Sequence, residues 1–138
     1  MAETLKLEIV TPESKIYSED VEGVTLPGSE GGAGIYPNHV PLVTQVQAGE
    51  IVVKRGGSEE VIAIGEGFAE ITSDHVAILT DNAANSADID EAVAEEAKAK
   101  AEQRLEEGGD VSEEDAKALN QAILYSQAQI KAKRRKRG

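Results

Sequence analysis

The 138-residue sequence has no cysteine and no tryptophan, a single phenylalanine (Phe68) and three tyrosines. Without cysteine there is no disulfide framework and no thiolate metal site, which suits a reducing compartment. With so few aromatic rings, the stacking platforms that hold single-stranded nucleic acid are lacking. Long apolar runs are missing as well. None approaches the roughly 20 residues that a membrane-spanning helix needs, and the N-terminus carries no signal-type apolar core. The expectation is a protein that is soluble or at most peripheral to a membrane, with no direct membrane insertion. Its length allows one full core, or a small core and an appendage.

Charge is abundant and unevenly placed. The net charge is −12. Residues 1–84 carry four bases against fourteen acids, and residues 85–130 carry four against twelve. The last eight residues, KAKRRKRG, hold six bases and no acid. A basic tip on an acidic body points to an acidic partner. The tip reads as a nucleic-acid patch, a membrane-surface patch or a protein-binding end. The alternative to the reading developed below is a free-standing β-sandwich adaptor whose basic helix binds nucleic acid. The other 130 residues, with those six positive charges taken away, stand at −18 and would repel a phosphate backbone. A protein-binding end is therefore favoured, with no nucleic acid as partner.

From Leu5 to Asp81 the apolar residues recur with period two. LKLEIV sets Leu5, Leu7 and Ile9 against Lys6 and Glu8, and VEGVTL, LVTQV, EIVVKR, EEVIAIG, FAEIT and HVAILT follow at short spacing. Thr11-Pro12, Pro27-Gly28, Ala48-Gly49, Gly56-Gly57 and Ser73-Asp74 supply turns between them. Many short Val- and Ile-rich strands with even turn spacing predict an antiparallel sandwich or barrel. Gly56-Gly57 reads as a hairpin turn. The stretch GSEGGAGIYPNHVPLV (28–43) admits a phosphate loop only formally. No lysine lies between Lys15 and Lys54, and prolines at 37 and 41 forbid the helix that such loops open. It reads instead as a tight connection that also presents a surface.

After Asp81 alanine takes over. Residues 88–109 predict a helix, with Asp88 as N-cap, Glu91 at the reciprocal capping position and Gly108-Gly109 as the stop. A second helix starts near Ser112, with Asp115 reciprocal to it, and runs to the basic end. Two helices joined by a short glycine turn lie antiparallel if they touch. Residues 82–87, NAANSA, read as a linker, which divides the chain into a β-sandwich domain (1–84) and a helical hairpin (85–138). The first helix carries the stripe Ile89, Val93, Ala97, Ala101 and Leu105. The second carries Leu119, Ile123 and Ile130, beside Ala116 and Ala122. A seam so rich in alanine is weakly fastened, because a buried methyl contributes far less than the roughly 1.5–3 kcal/mol of a buried Leu or Ile. Two readings fit such a hairpin: a module that detaches and extends without melting, and a passive helical cap over the sandwich. No residue set suggests an enzyme: neither His39 nor His75 has a nucleophile or metal ligand at a sensible spacing.

These motifs resemble a known family, the epsilon subunit of bacterial F-type ATP synthases (the delta subunit of mitochondria). The resemblance rests on residues 9–44, with its Gly-Ile-Tyr-Pro-x-His-x-Pro-Leu run, on GEGFAEITSDHVAILTDNA (65–83) and on IDEAVAEEAKAKAEQRL (89–105). It implies an α+β protein with a flattened antiparallel β-sandwich of about ten strands, followed by an antiparallel α-helical hairpin. It also implies a non-catalytic central-stalk subunit that turns with the rotor, couples ion flow to ATP synthesis and, through its C-terminal helices, inhibits ATP hydrolysis. The implied setting is the cytoplasmic side of a bacterial cell membrane, bound peripherally. Site by site, the resemblance implies a c-ring contact at Ser29, Glu30, Gly31 and Gly32, and a gamma-subunit contact at Thr11, His39 and Thr44. Lys131, Lys133, Arg134, Arg135, Lys136 and Arg137 would meet acidic loops of the catalytic subunits. A regulatory ATP site in the family opens its first helix. Ile89, Asp90 and Ala94 fit that pattern, but Val93 replaces the expected arginine, so a required cofactor is not expected and ATP is expected to bind weakly or not at all.

Overall fold

The alternation of the sequence becomes an alternation of buried and open side chains, strand by strand. The structure is a computed structural model that describes residues 4–27, 33–35 and 41–137. Strand β1 (Leu5–Val10) turns Leu5, Leu7 and Ile9 into the core. The strands β2 (Lys15–Val21), β3 (Gly23–Leu26), β4 (Ala33–Ile35), β5 (Leu42–Val46) and β6 (Gly49–Arg55) follow it. After them come β7 (Ser58–Ile64), β8 (Gly67–Ile71), β9 (His75–Thr80) and β10 (Ala83–Asn85).

The ten strands make two five-stranded sheets, in the orders β2-β1-β9-β8-β5 and β10-β7-β6-β3-β4. Their inner faces enclose one core, built from residues such as Leu7, Ile9, Ile51, Ile62, Ile71 and Ile78. Among the described residues every strand pair is antiparallel except β1–β9, which run parallel. That pair refines the expectation of an antiparallel sandwich: the first strand is inserted between its own hairpin partner and a strand almost seventy residues later. The chain changes sheets between β2 and β3, where the Glu22 amide donates to the Lys54 carbonyl at 2.8 Å.

The expected hairpin turn is present, with Gly56 at φ 58° and Gly57 at φ 80°, values that L-residues with a side chain rarely adopt. Gly67 has a different reason to be glycine. A Cβ there would fall 1.9 Å from the Leu79 carbonyl oxygen, so the β8–β9 approach needs the bare backbone.

Beyond the sandwich, the linker expectation is corrected. Residues 83–85 form β10, paired with Ile62, Ala63 and Ile64 of β7, and residues 86–88 form a single 3₁₀ turn. Small residues read as a linker by composition, yet their backbone completes a sheet edge. The expected cap is corrected too. The N-cap of helix α1 (Glu91–Glu107) is Asp90, whose carboxylate accepts from the Ala92 and Val93 amides at 3.0 and 3.3 Å. Asp88 belongs to the 3₁₀ turn. Helix α2 (Glu113–Arg137) starts where expected, with the Ser112 hydroxyl accepting from the Asp115 amide at 3.1 Å.

The stripe of α1 also differs from expectation. Ala94 and Ala101 are buried, whereas Val93 and Ala97 are exposed. Ile89 precedes the cap in an extended conformation (φ −83°, ψ 132°), so a helical stripe counted from it starts out of phase. In α2, Leu119, Ile123 and Ile130 are half-buried as expected. A second apolar face, carrying Ala128 and Ala132 with Tyr125 beside them, packs on Val61 and Ala63 of β7. Helix α2 therefore joins the hairpin to the second sheet, and α1 lies against α2.

Candidate functional site

The sandwich has two outer faces with opposite fates. On the second sheet, Val61 and Ala63 point away from the core and are sealed by α2. On the first sheet, no described element covers the outward side chains. The register places Gln45 beside Phe68, Phe68 beside Leu79, and Leu79 beside Val10, in one row across four strands. The next row runs Val43, Glu70, Ala77, Glu8. Val43 is 69% exposed, Phe68 52% and Leu79 49%. Large apolar side chains clustered on an open sheet face are the usual mark of a protein–protein contact. Where the row ends, a groove of about 690 Å³ opens between β1, β5, β8 and β9, with Thr11, Pro12 and Glu66 on its walls and Lys117 of α2 at its rim.

An ion cluster bounds the apolar strip. The carboxylate of Glu8 lies 2.6 Å from Lys15 Nζ through one oxygen and 2.6 Å from His75 Nε2 through the other. The hydrogen bond from Lys15, and after it that from His75, hold the Glu8 carboxyl down at about 2, against an ordinary 4.5. This cluster ties β1 to β2 and to β9. A second cluster links β2 to the other sheet, where Tyr17 donates to Glu60 at 3.1 Å and Arg55 reaches both Glu60 and Glu19. Burial, and after it the Glu60 carboxylate, push the Tyr17 hydroxyl up to about 12, so it remains a donor at neutral pH.

The residues singled out from sequence fall into four groups. Thr11 is buried at the β1–β2 turn, where its hydroxyl donates to the Ser14 carbonyl at 3.2 Å, and it reaches the groove. Thr44 is half-buried in β5, next to exposed Val43. His39, Ser29, Glu30, Gly31 and Gly32 lie outside the described residues. Ile89 is buried among Val61, Ala63, Ala128 and Ala132, Asp90 is the cap of α1, and Val93 is exposed. The first two are thus committed to packing and capping, and neither large groove of the structure takes a wall from these three.

The fourth group is the basic end, and the free tip suggested by its charge is not what the structure contains. Arg135 Nε donates to Glu50 at 2.8 Å, and Lys131 Nζ lies 3.8 Å from the same carboxylate. Arg134 reaches Glu91 at 3.4 Å and Glu95 at 3.1 Å, and Lys133 donates to the Ser86 carbonyl at 3.2 Å. Lys136 and Arg137 continue the helix. The other open-strip residues, Val43, Phe68 and Leu79, were missed in the sequence, although a signal was there. In GFAEI the larger apolar residue, Phe68, alternates out of phase with the buried Ala69 and Ile71.

The description "ATP synthase, Delta/Epsilon chain, beta-sandwich domain" matches residues 4–86. The chain belongs to the ATP synthase delta/epsilon family. An ATP synthase epsilon chain from Desulforamulus reducens is 39% identical over 132 residues, covering 96% of this chain and 98% of that protein. One from Koribacter versatilis is 42% identical over 109 residues, covering 79% and 77%. In fold, the chain resembles part of the Euglena gracilis mitochondrial ATP synthase OSCP/F1/c-ring assembly, with a TM-score of 0.73 at 23% identity, covering 94% of this chain and 81% of the other. A central stalk/c-ring chain of Tetrahymena thermophila gives 0.58 at 11% identity. The protein is a non-catalytic rotor subunit of the synthase, and the nucleic-acid alternative finds no support. Among the described residues no helix is long and apolar enough to cross a membrane.

One consequence concerns acid. Because the folded Glu8 carboxyl is held below its ordinary value, its contribution to stability is present above about pH 4.5 and is lost as pH falls towards 2. Urea unfolding from pH 6 to pH 2 should therefore give a shallower acid decline for Glu8→Gln than for the parent chain, with the two curves converging near pH 2. Parallel curves over that range would show that the cluster adds nothing to the fold.

Proposed function

We propose that the open face of the first sheet seats the chain on a gamma-type subunit, while the opposite face parks the helical hairpin. The single observation that carries this is the apolar row of Phe68, Leu79 and Val10, with Val43 beside it, left open on one face while α2 seals the other. A rotor subunit transmits torque, so its attachment needs rigid elements. The row lies on four hydrogen-bonded strands backed by a close-packed core, which resists shear better than a loop. Thr11 lines the groove at the end of this face, whereas Thr44 pairs with buried Ala69 and points to the inner side of β5, so the gamma contact at Thr11, His39 and Thr44 is assigned on resemblance alone. The loop at Ser29–Gly32 is assigned to the c ring on resemblance alone, with Glu30 as the anionic partner of a basic ring loop. The assembled protein then sits peripherally, on the cytoplasmic side of a bacterial membrane.

The regulatory half of the reading places the basic end of α2 against acidic loops of the catalytic subunits once the hairpin leaves its dock. Six positive charges within eight residues support it, because that density would draw α2 towards a surface rich in carboxylates. The site at Ile89 and Asp90 is read as a poor ATP binder. Val93 supplies no guanidinium, and the Asp90 carboxylate already caps α1.

Three outcomes test this. Co-purification with a gamma-type subunit should be lost on Phe68→Glu with Leu79→Glu, while circular dichroism still reports the intact sandwich; retention of the complex would remove the assignment of that face. Deleting residues 131–138 should raise ATP hydrolysis by the assembled enzyme at low salt, and unchanged hydrolysis would refute the inhibitory role. Calorimetric titration of the isolated chain with ATP should give no tight binding, and a micromolar site would overturn the reading of Val93.

A further inference from the structure

We infer that Glu50 is the catch of an electrostatic latch that holds the hairpin in its docked position. The sequence suggests a basic end waiting for a partner. In the structure the chain supplies its own acidic partners, one on β6 and two on α1.

Glu50 sits near the start of β6, and its side chain is only 7% exposed. A carboxylate that shielded is costly unless it is paired. Lys131 and Arg135, one turn apart on α2, converge on its two oxygens. Their own side chains remain 75% and 51% exposed, so they give up little hydration in return. Arg134 points another way, to Glu91 and Glu95, which are themselves one turn apart on α1. The basic end thus makes two separate fastenings. One ties α2 to the sandwich and the other ties α2 to α1, with Lys133 on the Ser86 carbonyl between them.

The apolar part of the dock is modest. Its fully buried members on the helix side are Ala128 and Ala132, with Tyr125 partly buried beside them, facing Val61, Ala63 and Ile89. With so little apolar area involved, the ionic contacts decide how often α2 lifts. They also decide what it costs a partner to take the tail. An acidic surface must displace Glu50, Glu91 and Glu95 from the cations it binds, so docking and partner engagement exclude each other at the same side chains. That competition rests on the inhibitory role proposed above. The latch itself belongs to the isolated chain and stands apart from it.

The absence of cysteine makes the test direct, because one introduced thiol is the only one present. Ala63→Cys places it beneath α2, and Ala69→Cys places it inside the sandwich core. Labelling of the first requires α2 to lift, whereas labelling of the second requires the sandwich to open. At low salt, adding Glu50→Gln should accelerate thiol labelling of the full-length Ala63→Cys chain about five-fold, the scale of one well-formed ion pair. Labelling of the Ala69→Cys chain should keep its rate. An unchanged rate at position 63 would overturn the latch. Equal acceleration at both positions would overturn it too, since that is a general loss of stability. Neither outcome bears on hydrolysis by the assembled enzyme, so failure of the latch and failure of the inhibitory role remain distinguishable.

Discussion

Strand β7 is buried on both sides, and the architecture depends on that. Ile62 and Ile64 face the sandwich core, while Val61 and Ala63 face α2. One strand is therefore the wall shared by the body and the arm. The two contacts differ in size. Inside the sandwich β7 meets Leu, Ile and Val from both sheets, each such side chain contributing about 1.5–3 kcal/mol on burial. Across the dock it meets mostly alanine methyls, each contributing about 0.8 kcal/mol on the scale of one buried carbon. The body is held firmly and the arm lightly, on opposite faces of the same few residues.

Such a division suits a rotor part. The elements that carry load are closed by long-range pairing, including the parallel β1–β9 contact and the Glu8 cluster that ties β2, β1 and β9 together. The element proposed to move is a pair of helices whose local stability comes from caps and alanine content. It can lift as helices, because lifting breaks no helical hydrogen bond. Charge is divided to match. Neutral, apolar surface lies on the outer row of the first sheet, and the cations of the tail are held beside the second.

A large share of this was legible in the sequence. Period-two segments became strands almost residue for residue, since a strand half exposed to water must alternate. The Gly56-Gly57 turn and the cap at Ser112 were legible because only a few residue types satisfy those backbone geometries. What failed had local causes. NAANSA has the composition of a linker, yet residues 83–85 pair with β7, a decision made by a strand twenty residues away. The α1 stripe failed because Ile89 lies one residue before the cap, and a helical phase cannot be counted through a non-helical residue.

The sequence by itself determined the strand pattern as far as Thr80, the stop of α1 and the start of α2, the absence of cysteine chemistry and the clustering of positive charge at the C-terminus. Each of these is set by neighbours a few residues apart. Only the tertiary structure decided which sheet face stays open, that β7 serves two cores, and that the basic end reaches Glu50, Glu91 and Glu95. Those facts depend on which residues become neighbours across 39 to 85 positions of chain. Spacing within a segment carries no record of such distances, because they arise only when the two sheets close over a common core and the helices fold back on the second sheet.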